Sequence, residues 1–400
     1  MRKIFLLLAA LSALFCCHRP LFDNPSREGE DDNRVRPAPI DSTRGNVTVY
    51  ATALVFPDTV DWRSGNSDGG RLVVFKDGVP VDTIGKYLDP AEPERIHFQE
   101  GHVWTDYTDG FETVIACDGQ YLFSFPGEEK LMGFLVSGGE VHTLGQHPGG
   151  GVSYRVNGQE VFSSASGIVV SGALSPDWEG GALCRDETGV YYCYALPVST
   201  ETDQMWEYRV MKGAEVLKMI PAMTGTRLYD IRAYGGNVYR LDFRYGRVCF
   251  LKDDELTPMT LPDNAHEMSL VLVDGRMRVK GFHEEGYAQY AWIREADTLV
   301  TQYCNPHGQP VANLFTEDGE TAVVSMDYEE CVVSIRRDTM QVTFPLETYR
   351  LQTPDCVRYR KGVIAAAMTG DLYVEENMIV INEKKYPSHF NGYFSGVFLK

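Results

Sequence analysis

The 400-residue sequence is short of positive charge. Lys and Arg total 37 against 56 Asp and Glu, a formal net charge of −19. A chain built to grip a phosphate backbone needs the opposite balance, so nucleic acid is excluded as the main partner. Beyond the N-terminal region no segment repeats apolar residues at helical spacing for long enough to form a crossover helix, which removes doubly wound and barrel α/β folds. Nor does any later stretch approach the ~20 apolar residues of a spanning helix. Cys-x-x-Cys, His-Glu-x-x-His, Gly-x-x-x-x-Gly-Lys and the dinucleotide glycine fingerprint are all missing. Zinc, P-loop and nicotinamide chemistry therefore have no local signature, and no cofactor is expected.

What the sequence does contain is 38 Gly, 20 Pro, 22 Tyr and 19 Phe in a chain that is 44% hydrophobic. That is the make-up of a turn-rich, ring-rich β protein, and not of a disordered or coiled-coil one.

The N terminus reads as an address. Arg2 and Lys3 precede an apolar run over residues 4–15, which ends at Cys16 and Cys17. The run is too short for a permanent transmembrane helix and right for a signal-peptide core. Leu14 stands three residues before Cys17, as in a bacterial lipoprotein signal, which makes Cys17 the expected lipidated residue and residues 1–16 the signal. Cys16 is the competing choice. Residues 17–45 are polar, with Glu28, Glu30, Asp31 and Asp32 clustered, and read as a solvated acidic tether. Membrane contact would then be through the lipid anchor only.

From residue 46 onward hairpin signals recur. Taking Asp77, Asp118, Asn157, Lys212, Asp253, Glu295, Arg337 and Glu383 as markers of one turn, the spacings are 41, 39, 55, 41, 42, 42 and 46. Glycine-bearing turns at Gly101, Gly139, Gly189, Gly236, Gly275, Gly319 and Gly362 keep the same period. Each unit holds four strands, which is the blade of a β-propeller. The first unit begins at its second strand, and a strand-like segment follows the eighth hairpin, so the C-terminal strand is expected to close the ring. Residues 46–400 then form one all-β propeller of eight blades, with seven as the alternative because residues 163–180 are irregular.

In a propeller the loops between second and third strands and the connections between blades share one face. Here those loops gather acids and rings. The candidate ligand-binding residues are Trp62, Tyr107, Asp109, Tyr245, Glu284, Tyr287, Tyr328 and Glu330. Trp and Tyr could stack sugars, and carboxylates could hold Ca²⁺, although solvated turns in an acidic protein are the readier account of the acids. The Gly65 to Gly69 segment matches Gly-x-Ser-x-Gly but lies in a polar loop without the strand-to-helix turn that the nucleophile needs. Adjacent carboxylates such as Glu284 and Glu285 point apart on a strand and do not make a glycosidase pair. Cys184 and Cys193 lie nearly symmetrically about the turn at residues 187–189 and could form a disulfide across two strands.

The lipobox-like start, the acidic tether and hairpins such as Phe75-Lys76-Asp77-Gly78 together resemble the exported propeller-type lipoproteins of the Bacteroidetes phylum. Asp41-Ser42-Thr43 in the tether is similar to that phylum's O-glycosylation signal, which makes Ser42 a candidate glycosylated residue. The resemblance implies an outer-membrane lipoprotein of the cell envelope, periplasmic or surface-exposed. The combined expectation is a binding module for a glycan or an envelope protein, favoured over an enzyme. A polysaccharide lyase or hydrolase and a structural subunit of an outer-membrane assembly are the alternatives.

Overall fold

The computed structural model describes residues 47–400 apart from short stretches at 65–68, 85–95, 109–110, 171–180, 200–203, 222–225, 245, 287, 306–310, 318–319, 328–331, 338–339, 353–355 and 371–375. Cys17, the expected lipidated residue, and Ser42, the candidate glycosylation site, lie outside the described residues.

The first blade takes β1 (Val49–Val55), β2 (Arg71–Lys76) and β3 (Val79–Ile84). Blade 2 is β4 (Ile96–Gln99), β5 (His102–Thr108), β6 (Glu112–Cys117) and β7 (Gln120–Pro126). Blade 3 is β8 (Lys130–Ser137), β9 (Glu140–Gln146), β10 (Val152–Val156) and β11 (Gln159–Ser164). Blade 4 has a split inner strand, β12 (Ile168–Val169) and β13 (Cys184–Asp186), followed by β14 (Gly189–Ser199), β15 (Gln204–Lys212) and β16 (Glu215–Ile220). Blade 5 is β17 (Thr226–Tyr234), β18 (Asn237–Arg244), β19 (Arg247–Lys252) and β20 (Glu255–Pro258). Blade 6 is β21 (His266–Val273), β22 (Arg276–Glu285), β23 (Ala288–Glu295) and β24 (Thr298–Asn305). Blade 7 is β25 (Val311–Glu317), β26 (Glu320–Asp327), β27 (Val332–Arg337) and β28 (Met340–Pro345). Blade 8 again splits its inner strand, into β29 (Tyr349–Arg350) and β30 (Val357–Arg360), before β31 (Val363–Gly370), β32 (Glu376–Ile381) and β33 (Lys384–His389). The last strand, β34 (Gly392–Leu399), returns to pair with β1 as the inner strand of blade 1.

Each blade is an antiparallel sheet and each touches the next in chain order around to the first, so the chain is an eight-bladed β-propeller. The 55-residue spacing that left seven blades open is absorbed inside blade 4, where residues between β12 and β13 are inserted within the inner strand. Closure by β34 is tied at both ends of the ladder. Thr48 and Lys400 exchange backbone hydrogen bonds at 2.9 and 3.0 Å, and Thr52 and Ser395 hydroxyls meet at 2.9 Å near the bulge that offsets the register.

The period that was visible in the sequence has a single local cause. The turn between the third and fourth strands needs positive φ at both central residues, which Asp or Asn followed by Gly tolerates best. Asp77 and Gly78 sit at φ 50° and 84°, Asp118 and Gly119 at 47° and 76°, Asn157 and Gly158 at 51° and 78°. The side chain then does a second job. Asp77 Oδ1 accepts the Val49 N–H at 3.0 Å while the Asp77 N–H donates to Val49 O at 2.7 Å. Asp118 with Val103, Asn157 with Val141, Asp253 with Val238 and Asn382 with Ile364 repeat this exchange. In blades 4, 6 and 8 the left-handed residues are Gly213, Ala296 and Asn382, next to the expected markers Lys212, Glu295 and Glu383. The missing side chain of Gly78 also makes room for the neighbouring blade: a Cβ there would sit 2.7 Å from the Tyr386 ring, and one on Gly158 equally close to Phe123.

The core lies between blades. All eight residues of β31 are buried, because a second strand has another blade against each face, and its three alanines let those blades approach. The inner strands expose backbone groups toward the central axis, and side chains from adjacent blades satisfy some of them. Asp230 Oδ2 in blade 5 accepts from Leu270 N in blade 6 at 2.9 Å, and Arg185 in blade 4 donates to Val136 O in blade 3 at 2.6 Å. Gln99 in blade 2 bridges Val136 N and Phe134 O in blade 3. Without such partners each buried backbone group costs about 1–3 kcal/mol.

The disulfide expectation is corrected. Asp186 pairs with Gly189, so the ladder places Cys184 opposite Tyr191 and leaves Cys193 one diagonal step away. Diagonal neighbours on a sheet lie roughly 7–8 Å apart, beyond the usual span of a disulfide. Both are free, buried thiols, and Cys184 Sγ donates to Ala233 O of the next blade at 3.2 Å. Burial raises both thiol pKa values.

Candidate functional site

Strand polarity gives the ring two unlike faces. Tight turns between first and second and between third and fourth strands make up the turn face. Longer segments between second and third strands, and between blades, make up the loop face. Since β1 is a second strand, the chain enters the propeller at Val47 on the turn face.

The best-described part of the loop face follows β1. Phe56 N donates to Asn391 O at 2.7 Å, and the Asn391 amide donates to Pro57 O and Val60 O at 2.8 and 2.7 Å, which pins the loop to the closing strand. A single 3-10 turn, Trp62–Ser64, then lays the Trp62 ring 5.0 Å from Tyr393 and 6.3 Å from Phe56. The Arg63 guanidinium covers the ring at 4.7 Å, and its Nη2 donates to Gly370 O of blade 8 at 3.3 Å. Trp62 is thus on the expected face but half-buried, part of a wall and not an open platform. Its indole N–H is shut off from solvent and meets no acceptor among the described residues. Asp58 and Asp61 beside it are exposed.

The other expected residues are less fully placed. Glu284 is the penultimate residue of β22 and is exposed next to exposed Glu285. Tyr107 lies in β5 opposite Val114, with its side chain outside the description. Asp109, Tyr245, Tyr287, Tyr328 and Glu330 fall outside the described residues. One loop-face residue escaped sequence reasoning. Phe111, between β5 and β6, is 89% exposed, held by the Gly127 N–H donating to its carbonyl at 2.8 Å. Its signal was an aromatic directly after Asp109-Gly110, where a turn has no need of one.

The arrangement closest to hydrolase chemistry is in blade 3. His147 Nε2 lies 2.6 Å from Ser153 Oγ, and His147 Nδ1 3.7 Å from Glu129. It does not assemble a nucleophile. Ser153 is fully buried and donates to Glu160 at 3.1 Å, so His147 Nε2 must itself donate to Oγ and has no lone pair for the serine proton. Glu129 is occupied by a two-pronged pair with Arg155, whose Nη2 donates at 2.8 Å. The network is a buried polar strut between blades 2 and 3, with the Arg155 guanidinium also over the Phe125 ring at 4.8 Å.

On the turn face, Asp186 joins two blades. Burial opposes its charge, but hydrogen bonds from Thr188 and from the Gly235 and Gly236 N–H groups outweigh this and lower its pKa. In blade 2, His102 Nδ1 approaches Asp118 Oδ2 at 2.7 Å with the Cys117 thiol nearby, pushed up to about 12 by burial and then by the Asp118 charge. No helix among the described residues is long and apolar enough to cross a membrane.

No family model and no curated protein matches the chain. Solved structures similar to it include a eukaryotic initiation factor, 11% identical over 82% of this chain and 85% of that one with a TM-score of 0.48. Dihydro-heme d1 dehydrogenase NirN is 12% identical over 76% and 75%, with a TM-score of 0.39. Hsv2 of Kluyvelomyces marxianus is 12% identical over 71% and 89%, with a TM-score of 0.38.

Proposed function

We propose that this propeller is a lipid-anchored extracytoplasmic binding module that presents its loop face to a glycan or an envelope protein. The observation that carries the reading is the polarity of the ring: the chain enters on the turn face, so a tether from Cys17 would leave the loop face pointing away from the membrane. The polar, acidic composition of residues 17–45 suits a solvated spacer between such an anchor and the ring. The loop face offers an exposed ring and carboxylates in the form of Phe111, Asp58, Asp61 and Glu284, with Trp62 as a wall beneath Arg63. These are groups that stack on sugar rings and accept hydrogen bonds from their hydroxyls.

The test is affinity electrophoresis of the purified protein in gels containing envelope or plant polysaccharides, against a Trp62→Ala, Tyr287→Ala, Tyr328→Ala variant. Retardation that the triple variant loses supports the site; retardation equal in both overturns it. Separately, Cys17→Ser should move the protein from the membrane to the soluble fraction, and retention at the membrane refutes the anchor.

A second reading rests on one observation. Outer strands carry exposed apolar side chains, notably Val216, Leu217 and Met219 on β16 of blade 4 and, on a separate blade, Tyr121 and Leu122 on β7 of blade 2. An unpaired strand edge of this kind suits a structural subunit of an envelope assembly. A photo-cross-linker at position 219 that captures one discrete partner in intact cells supports that reading, and no adduct refutes it.

A further inference from the structure

The turn face of blade 2 holds donors that neither the fold nor the proposed binding face uses. Trp104 in β5 pairs directly with Cys117 in β6, and His102 is two residues before Trp104. The pleat therefore puts His102 and Cys117 on one side of the sheet. Asp118 follows in the turn at φ 47°, where its Oδ1 is pinned by the Val103 N–H at 3.0 Å and its Oδ2 is left facing His102. The imidazole nitrogen, the thiol sulfur and the carboxylate oxygen all lie within 4.8 Å of one another, the one such group of three among the described residues.

We propose that His102, Cys117 and Asp118 form a binding site for a divalent transition metal of the zinc class, through Nδ1, Sγ and Oδ2. The donor set decides the class. Ca²⁺ and Mg²⁺ take oxygen ligands, whereas one sulfur, one imidazole nitrogen and one carboxylate oxygen match Zn²⁺ and its neighbours. Charge agrees, since a thiolate and a carboxylate neutralise a dication. On binding, Cys117 releases its proton to solvent, the Nδ1 proton that His102 donates to Asp118 is lost to water while Nε2 takes one up, and the His102–Asp118 hydrogen bond is exchanged for two bonds to the metal. Three protein ligands leave the fourth tetrahedral position to water or to a partner's group. Access is open, because the His102 and Asp118 side chains are 54% and 40% exposed. The ligands are also well held: two come from paired strands, the third from a turn fixed by its own hydrogen bonds, and the Trp104 ring stands edge-on to His102 at 6.5 Å. This position is on the turn face, so the inference stands or falls independently of the loop-face reading.

The test is titration of the purified protein, free of any polyhistidine tag, with Co²⁺ and then Zn²⁺. A thiolate-to-cobalt charge-transfer band should saturate at one equivalent and be abolished by Zn²⁺. Cys117→Ser, a near-isosteric change, should remove the band while the circular dichroism and melting temperature of the metal-free protein stay unchanged. His102→Ala should weaken Zn²⁺ binding by more than about tenfold, since loss even of an outer partner of a metal ligand costs that much. Cys304→Ser, at an exposed cysteine on blade 6, should leave the band intact. No band in the parent protein, or a band that survives in Cys117→Ser, overturns the proposal.

Discussion

The Glu129–Arg155 pair between blades 2 and 3 gives the sharpest test of how this ring is held together. Both side chains are almost wholly out of water, at 1% and 7% exposure. The carboxylate takes both prongs of the guanidinium, which also rests on Phe125. Removing one partner of a buried pair leaves the other charge desolvated and unpaired, at a cost of about 3–5 kcal/mol. Glu129→Gln keeps the shape and some hydrogen bonding and leaves Arg155 the half-exposed Glu160 carboxylate at 3.6 Å, so it should fall near the lower end, about 3 kcal/mol. Arg155→Met should fall near the upper end, because among the described residues Glu129 would then face only the half-exposed His147 ring, 3.7 Å away. The double variant Glu129→Met, Arg155→Met leaves no stranded charge, and replacing a buried pair by apolar residues is often neutral or stabilising. It should therefore be more stable than either single variant. Urea unfolding followed by tryptophan fluorescence, read as midpoint shifts at constant slope, completes a double-mutant cycle. Single-variant costs below about 1 kcal/mol, the range of a surface ion pair, would refute the reasoning. Gly145→Ala offers an independent check, since its Cβ would collide with the Glu129 carboxylate.

Three further outcomes are expected. Gly158→Ala should cost more than about 1 kcal/mol, because it adds a side chain at φ 78° and drives it into the Phe123 ring, and pairing it with Phe123→Ala should recover only the steric part. Asp253→Ala should lower the urea midpoint by the equivalent of about 1–2 kcal/mol, while Asp253→Asn should be nearly silent, because Asn157 and Asn382 already make the same exchange in other blades. Stability should fall with acidification in two steps. Burial lowers the pKa of His142 and His283, so the unfolded chain takes up protons first as pH drops below about 6.5, and His283→Gln should reduce that slope. The lowered pKa of Asp186 adds stability above about pH 4 that is lost as pH falls through its folded value, and Asp186→Asn should reduce this second step, to which Asp254 beside Lys218 also contributes.

Much of the architecture was legible because one turn type repeats. A turn that needs two left-handed residues narrows the choice to Asp or Asn followed by Gly, and Asp77, Asp118 and Asn157 advertise it by chemistry alone. Where the turn is met another way, as at Gly213 or Ala296, the marker drifted by a residue but the period survived. The lone second strand at the start of the ring likewise announced its partner at the end. The cysteine pairing was misjudged because two residues of offset in a register are invisible until the turn is counted: Asp186 against Gly189 turns an apparent facing pair into a diagonal one.

The sequence by itself determined the local alphabet of this protein: strand length, turn type, the repeat period and the order in which blades follow one another. Those properties depend on backbone conformation within a few residues, and side-chain type controls that directly. Only the tertiary structure decided what meets across blades. It set Glu129 against Arg155, Asp230 against the Leu270 N–H, and Gly78 against Tyr386. It also turned the loop face away from the end at which the chain enters. These depend on the angle at which one sheet packs on the next and on where each strand points around a closed ring, quantities that no residue carries alone.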